Sequence, residues 1–109
     1  MANKKHRLNH IFREDKRTFI VAVDHGNAFN VLPAMKYPGK IINEVARAGA
    51  DAFLATVGLA DKFADDFHGK GIILRLDGST SALGSRDKPL QTVVRVEDAL
   101  RFGADAVIS

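Results

Sequence analysis

The chain has 109 residues, 46% of them hydrophobic and 27% charged, with a formal net charge of +3 and no cysteine. This length accommodates one domain with an apolar core, and the composition excludes a disordered or fibrous chain. Without cysteine there is no disulfide, cysteine-ligated metal or thiol nucleophile, and no apolar run approaches the length of a membrane span. We therefore expect a soluble, cytoplasmic protein that makes no membrane contact.

The first 17 residues form a basic leader that holds the excess positive charge. Against Glu14 and Asp15 it carries six basic residues, namely Lys4, Lys5, Arg7, Arg13, Lys16 and Arg17. A basic arm can contact nucleic-acid phosphates, but this one lacks the interleaved aromatic residues of a single-strand binding surface, so we expect no nucleic-acid partner. Leu8, Ile11 and Phe12 have the spacing of one helical turn, which predicts that the leader packs an apolar stripe on the rest of the chain.

After the leader, predicted strands alternate with predicted helices. Residues 18–23 form an apolar, β-branched run without alternation, which is typical of a strand buried on both faces. A helix follows from about Pro33 or Lys40 to Ala48, and Gly49 ends it. The remaining elements are predicted in chain order as a strand at 52–57, a helix at 58–67, a strand at 71–76, a turn at 77–81, a loop at 82–90, a helix at 97–102 and a strand within 103–109.

One internal repeat supports this alternation. Residues 46–54 (ARAGADAFL) recur as residues 100–108 (LRFGADAVI), so the same helix-to-strand joint is used twice. Buried strands joined through helices imply right-handed crossovers and a parallel sheet. The order of elements fits either a small open α/β sheet or the first half of a (β/α)₈ barrel.

The position of the last predicted strand favours the barrel. The chain ends at Ser109 with no helix to cover that strand, and four strands cannot close a barrel that needs about 250 residues. We therefore predict an α/β fold that is the N-terminal half of a (β/α)₈ TIM barrel. Residues 1–17 are its leader and residues 18–109 are its first four strands.

Polar residues that could support chemistry follow the predicted strands, at the end where α/β proteins bind ligands. Asp24 comes directly after an apolar strand and is either a general acid or base or a turn-capping residue. His25 is a candidate orienting neighbour, and Gly26 permits close backbone approach. Arg75 lies inside an apolar strand, where its charge needs a partner, and Asp24 or Asp77 is the candidate. Ser79 belongs to a serine-rich turn whose hydroxyls either cap the turn or bind a polyol or phosphate.

Other kinds of site find no support in the sequence. There is no glycine-rich dinucleotide fingerprint after the first strand and no phosphate-binding P-loop motif. The four histidines, His6, His10, His25 and His68, show no metal-ligand spacing. We therefore expect neither a cofactor nor a metal.

Four segments, taken in order, resemble the archaeal-type class I fructose-bisphosphate aldolases. The family also contains aminodideoxyheptulosonate synthases and autoinducer-2 processing thiolases. Residues 17–26 (RTFIVAVDHG) resemble its first strand, and residues 9–12 resemble the short leader before that strand. Residues 73–79 (ILRLDGS) are similar to its third strand, and residues 96–107 to its third helix and fourth strand. The resemblance covers nearly the whole chain but only four of the eight strands of the family.

The resemblance implies a lyase that cleaves or forms a carbon–carbon bond in a sugar phosphate such as fructose 1,6-bisphosphate, through a Schiff base and without a cofactor. It implies that Asp24 is the catalytic, proton-transferring carboxylate. The substrate-binding residues expected from the resemblance and from their position at the strand ends are Asp24, His25, Gly26, Asn27, Ala28, Arg75 and Ser79.

The catalytic lysine, the acid–base tyrosine and the phosphate site of that family come from later strands. By itself the chain is therefore expected to lack activity. We expect it to form a homo-oligomer or to be completed by a C-terminal half-barrel. The alternative hypothesis is a non-enzymatic half-barrel that self-associates through its open strand edges.

Overall fold

A computed structural model describes residues 2–25, 33–78, 91–92 and 94–109. Four helices and six strands occupy these ranges, with short 3₁₀ turns at Pro33–Met35 and Ala64–Phe67. The elements in chain order are α1 (Ala2–Ile11), β1 (Ile20–Ala22), α2 (Pro38–Ala48), β2 (Ala52–Ala55), α3 (Val57–Lys62), β3 (Gly71–Arg75), β4 (Asp77–Gly78), β5 (Gln91–Thr92), α4 (Val96–Phe102) and β6 (Ala106–Ile108). None of the helices has the length and apolar character of a membrane span.

Four strands form one parallel sheet in the order β1-β2-β3-β6. The spatial order of the strands in this sheet is therefore the same as their order in the sequence. A doubly wound open sheet reverses its strand order at a switch point, whereas a (β/α)₈ barrel adds strands in one direction. The strand order confirms the predicted half-barrel and decides against the open-sheet alternative.

The apolar core fills the space between the sheet and its helices. This core consists of two clusters. Phe53 of β2 is fully buried with Ile42 of α2 in the first, and Leu74 of β3 is fully buried with Ala99 of α4 in the second. Because side chains alternate along a strand, Phe53 and Leu74 face the helices while Leu54 and Ile73 face the opposite side of the sheet. That opposite side is the interior of a barrel.

Burial on both faces was predicted for the strands, and this is wrong for the two edge strands. Ile20 of β1 is 41% exposed and Ile108 of β6 is 44% exposed. Both are on the open face of the sheet, which we define by the side chains Ile20, Ala22, Leu54, Ile73 and Ile108. The helices cover only the other face, so Ile20 and Ile108 lie uncovered, while Leu54 and Ile73 at the centre of the sheet are half-buried.

The helix boundaries differ from prediction at β2 and α3. Val57 was predicted to end a strand, but it begins α3 because the Thr56 hydroxyl accepts a hydrogen bond from the Leu59 N–H at 3.2 Å. The predicted helix over 58–67 is interrupted at Phe63 and continues as a 3₁₀ turn. By contrast, α2 ends at Ala48 as predicted, with Gly49 at a φ of 122°.

The turn predicted at 77–81 is wrong for its first two residues, which form a strand. Asp77 and Gly78 form β4, which pairs antiparallel with β5, so that Asp77 lies opposite Thr92. The pairing joins segments more than ten residues apart in the chain, which local turn preferences do not register. The predicted loop at 82–90 lies outside the described residues.

The leader packs against the amino-terminal ends of the strands. Of its predicted apolar stripe only Ile11 is buried, whereas Leu8 and Phe12 are each 41% exposed. Polar contacts also join the leader to the sheet: the His10 Nδ1 lies 2.6 Å from the Asp105 Oδ1 in a hydrogen bond, and the Arg13 Nε pairs with the Asp51 Oδ2 at 3.3 Å.

The internal repeat has a structural role at this same end. Asp51 and Asp105 are equivalent residues of the two copies, and each accepts a hydrogen bond from the backbone of a neighbouring strand. The donors are the Phe19 N–H at 2.7 Å and the Ile72 N–H at 2.9 Å. Each copy therefore ties two adjacent strands together and presents a carboxylate to the leader.

Candidate functional site

Two carboxylates and one guanidinium meet at the carboxyl-terminal end of the sheet. Asp24 and Asp77 are both buried, at 6% exposure, and Arg75 lies between them. Its Nη1 donates to the Asp24 Oδ2 at 3.0 Å, and its Nε donates to the Asp77 Oδ1 at 2.9 Å. We call these three side chains the arginine cluster. Both partners predicted for Arg75 are thus present.

Strand alternation places the cluster on the open face. Arg75 and Asp77 are two residues apart on one extended segment, so their side chains are on the same side of the sheet. Asp24 follows β1, and β2 separates it from β3, a span of about 10 Å at ordinary strand spacing. Ala22, Leu54 and Ile73 are aligned across the three strands. Two residues further along each strand, the small Thr56 lies between Asp24 and Arg75. The long arginine side chain can therefore pass over β2 and reach Asp24.

The electrostatics of the cluster are those of a partly buried ion triad. Removing these charges from water is costly, and the hydrogen bonds to both carboxylates offset that cost. The hydrogen bond to Asp24 and then that to Asp77 raise the pKa of Arg75, while burial opposes them. The guanidinium is therefore permanently charged, and the cluster as a whole carries one net negative charge.

His25 lies next to Asp24 and is half-buried. Its Nδ1 is fully buried and has no hydrogen-bond partner among the residues that the structure describes. A ring nitrogen of histidine can donate a hydrogen bond to a hydroxyl oxygen of a ligand or accept one from it, according to its tautomer. This geometry is compatible with the predicted substrate-binding role of His25.

The other predicted site residues, Gly26, Asn27, Ala28 and Ser79, lie outside the described residues. Asp77 was proposed from sequence only as a partner of Arg75 and not as a site residue. Its spacing of two from Arg75 on an apolar strand is the signal that could have identified it, because both side chains must then share one face.

The described lysines do not occupy the open face. They are on the helices or in connections, and within the described ranges no strand of the four-stranded sheet contains a lysine. In the same ranges, no three histidine or carboxylate side chains converge as metal ligands would. The site as described offers a carboxylate and hydrogen-bonding groups rather than an amine nucleophile.

Comparison with known proteins links this geometry to a family. Residues 18–108 match the domain described as DeoC/LacD family aldolase. The chain is 36% identical over 106 residues to the 2-amino-3,7-dideoxy-D-threo-hept-6-ulosonate synthase of Halobacterium salinarum, covering 97% of this chain and 39% of that protein. It is 28% identical over 101 residues to an uncharacterized aldolase of Saccharolobus solfataricus, covering 85% of this chain and 37% of the relative.

Solved structures give the same result. A crystal structure of an archaeal fructose 1,6-bisphosphate aldolase superposes with a TM-score of 0.74 at 28% identity, over 95% of this chain and 42% of that one. An archaeal fructose-1,6-bisphosphate aldolase with its catalytic lysine bound to a carbinolamine intermediate superposes with a TM-score of 0.72 at 30% identity, with the same coverage. The chain thus spans about two fifths of the length of these relatives.

Proposed function

Because the chain belongs to the DeoC/LacD family of aldolases, we propose that it forms the N-terminal half of a class I, Schiff-base aldolase. The observation that carries the proposal is the buried Asp24 carboxylate, held by Arg75 at the strand end where barrel enzymes do their chemistry. Residues 1–17 serve as the leader and residues 18–109 supply the first four strands. The remaining strands complete the site.

Asp24 is the residue proposed to transfer a proton at the substrate. A carboxylate at the mouth of a barrel can accept a proton from a substrate hydroxyl as a carbon–carbon bond breaks, and can return it in the reverse direction. The Schiff-base lysine must be supplied by the later strands, since such a lysine has to be desolvated near the reacting carbon.

The charge of the arginine cluster indicates which part of a substrate it contacts. Arg75 already donates to both carboxylates, and the cluster carries one net negative charge, so a phosphate group placed against it would be repelled. Hydroxyl groups, or the positively charged imine of a Schiff base, suit this surface. We therefore assign the cluster to the middle of the substrate and the phosphate to the later strands of a complete barrel.

The proposed substrate class is a sugar phosphate such as fructose 1,6-bisphosphate. The structural similarity to archaeal fructose 1,6-bisphosphate aldolases supports this choice. The similarity to a heptulosonate synthase supports a related aldol condensation as the competing assignment. The family resemblance implies a Schiff base for both reactions, so we propose that the substrate contacts of the later strands distinguish them.

A chimeric barrel tests the proposal. Residues 1–109 are fused to the C-terminal part of the Halobacterium synthase, and aldol cleavage of fructose 1,6-bisphosphate and formation of the heptulosonate are assayed separately. We expect activity that Asp24→Asn abolishes and that Asp98→Asn, on α4 and outside the arginine cluster, leaves unchanged. A folded chimera whose activity survives Asp24→Asn contradicts the role of this carboxylate.

The 109-residue chain offers an independent test. Borohydride reduction with dihydroxyacetone phosphate, followed by mass spectrometry, traps any imine on a lysine. We expect no adduct, because within the described ranges no lysine occupies the sheet. A substrate adduct on any lysine of this chain would show that the nucleophile lies within these residues.

Exposed apolar residues favour a second candidate, a half-barrel that acts through association. Ile20 and Ile108 are on the open face at opposite edges of the sheet, and Val107 and Leu100 are also exposed near the β6 edge. Such edges can pair with a second copy or with a separate C-terminal half. Sedimentation equilibrium tests it: a stable monomer at high concentration contradicts self-association.

A further inference from the structure

We propose that Arg75 and Asp77 are positioning residues for Asp24: Asp77 fixes the guanidinium, and the guanidinium then fixes the carboxylate that handles the proton. The inference rests on the proposed function for the role of Asp24. Its structural content, a carboxylate oriented by a second carboxylate through one arginine, can be tested on the chain alone.

Asp77 is the anchored end of this arrangement. Its backbone belongs to β4, which pairs with β5, and the preceding Leu76 N–H donates to the Ile108 carbonyl at 2.9 Å. The Val94 N–H in turn donates to the Leu76 carbonyl at 2.9 Å. Backbone hydrogen bonds from two other segments therefore hold Leu76, the residue directly before the Asp77 that accepts from the Arg75 Nε–H.

Arg75 transmits this anchoring across the sheet. A guanidinium is a rigid plane, so a hydrogen bond at Nε sets the direction in which the terminal nitrogens point. With Nε bound to Asp77, Nη1 is directed at the Asp24 Oδ2. A lysine could supply the same charge but has a single side-chain nitrogen. A hydrogen bond from that nitrogen to Asp77 would not set the direction of a second hydrogen bond to Asp24.

Asp24 is the dependent end. It lies just beyond β1, an edge strand only three residues long, and neither Asp24 nor His25 belongs to a strand. Its carboxylate is reached by Arg75 from 51 residues away in sequence. We infer that the direction of this carboxylate is set from β3 and not by its own strand.

Carboxyl labelling of the 109-residue chain tests the inference. A carbodiimide and an amine modify accessible carboxylates, and mass spectrometry measures the rate at Asp24, Asp51 and Asp105. Asp77→Asn keeps the size of the side chain and weakens its hold on Arg75. We expect modification of Asp24 to rise about tenfold, the effect of losing one charge-assisted hydrogen bond, while Asp51 and Asp105 are unchanged.

The matched control is Asp98→Asn, which removes a carboxylate of α4 whose side chain is 45% exposed and pairs with Arg95 and Arg101. It should leave the labelling of Asp24 unchanged. Equal rises at Asp24, Asp51 and Asp105 in Asp77→Asn would mean general loosening of the fold, and no rise at Asp24 would mean that Asp77 does not position it. Either result overturns the inference.

Arg75→Lys separates orientation from charge. If orientation matters, Asp24 is modified in Arg75→Lys as fast as in Asp77→Asn. If lysine restores the wild-type rate, charge alone suffices and the positioning role is wrong. Circular dichroism confirms that each variant is folded.

Should a variant unfold, the wild-type chain still decides the matter. In nitrogen-resolved NMR, the Arg75 Nε–H should exchange with solvent at least about tenfold more slowly than that of the exposed Arg101, because a stable hydrogen bond slows such exchange. Equal exchange rates would contradict the hydrogen bond to Asp77 on which the inference depends. Neither measurement requires aldolase activity, so each remains valid if the proposed function fails.

Discussion

The two ends of the sheet each use a pair of aspartates, but they use them differently. At the amino-terminal end, Asp51 and Asp105 each accept a backbone N–H from a neighbouring strand and face a basic group of the leader. At the carboxyl-terminal end, Asp24 and Asp77 share Arg75. The first pair satisfies backbone donors and so joins neighbouring strands, whereas the second pair shares a side-chain partner at the end of the sheet where barrel enzymes bind ligands.

The largest expected effect comes from removing the shared cation. Arg75→Met leaves two buried carboxylates without their common partner, and we expect it to lower the free energy of unfolding by about 3 kcal/mol. This is the lower end of the usual range because the Arg75 side chain is 22% exposed. Urea denaturation measures the change. A loss below about 1 kcal/mol would show that the stability of the fold does not depend mainly on the arginine cluster.

At the other end, Asp105→Ala should cost less. It removes the acceptor of the Ile72 N–H and the partner of His10, and we expect a loss of about 2 kcal/mol from the unpaired backbone group. The same urea titration measures it. A loss equal to that of Arg75→Met would remove the distinction between the two ends.

The third prediction concerns the close packing of α1 on Gly71 of β3. A Cβ on Gly71 would lie 2.6 Å from the carbonyl oxygen of His10, so Gly71→Ala must displace α1. We expect a loss of about 1 to 2 kcal/mol, measured by thermal unfolding. The control is Gly58→Ala, where nothing lies within 4 Å, and which should leave stability unchanged or raise it. Equal losses in both variants would contradict the close approach of α1.

The exposed ion pair of the leader should matter least. Arg13 has a side chain that is 57% exposed and pairs with Asp51 at 3.3 Å. We expect Arg13→Met to cost under about 1 kcal/mol and to lose even this at high salt. Urea denaturation with and without added salt tests the expectation. A larger cost that salt does not change would show that this pair behaves as a buried ion pair.

The pH dependence of the Arg75 contribution should be flat. Its pKa is raised in the folded state by Asp24 and then Asp77, so its stabilisation is fully present below the unfolded-state pKa and is lost only as pH rises through the folded value. The cost of Arg75→Met should therefore be the same at about pH 7 and about pH 9. A cost that falls over this interval would contradict the direction of the shift.

Local chemistry in the sequence determined much of this protein. Apolar runs identified the four strands of the sheet, Gly49 marked the end of α2, and the charge of Arg75 within β3 required a carboxylate partner. Asp24 was recognisable because a carboxylate directly after an apolar strand lies at the carboxyl end of the sheet. These features depend on residues within a few positions of each other, where strand and helix periodicity operate.

Only the tertiary structure decided which distant groups meet. It chose both Asp24 and Asp77 for Arg75, paired β4 with β5, and joined His10 to Asp105 across 95 positions of sequence. It also left Ile20 and Ile108 exposed, although their strands read as buried. Contacts between distant residues depend on strand order and on which face the helices cover, and neither is encoded in the local periodicity of any one segment.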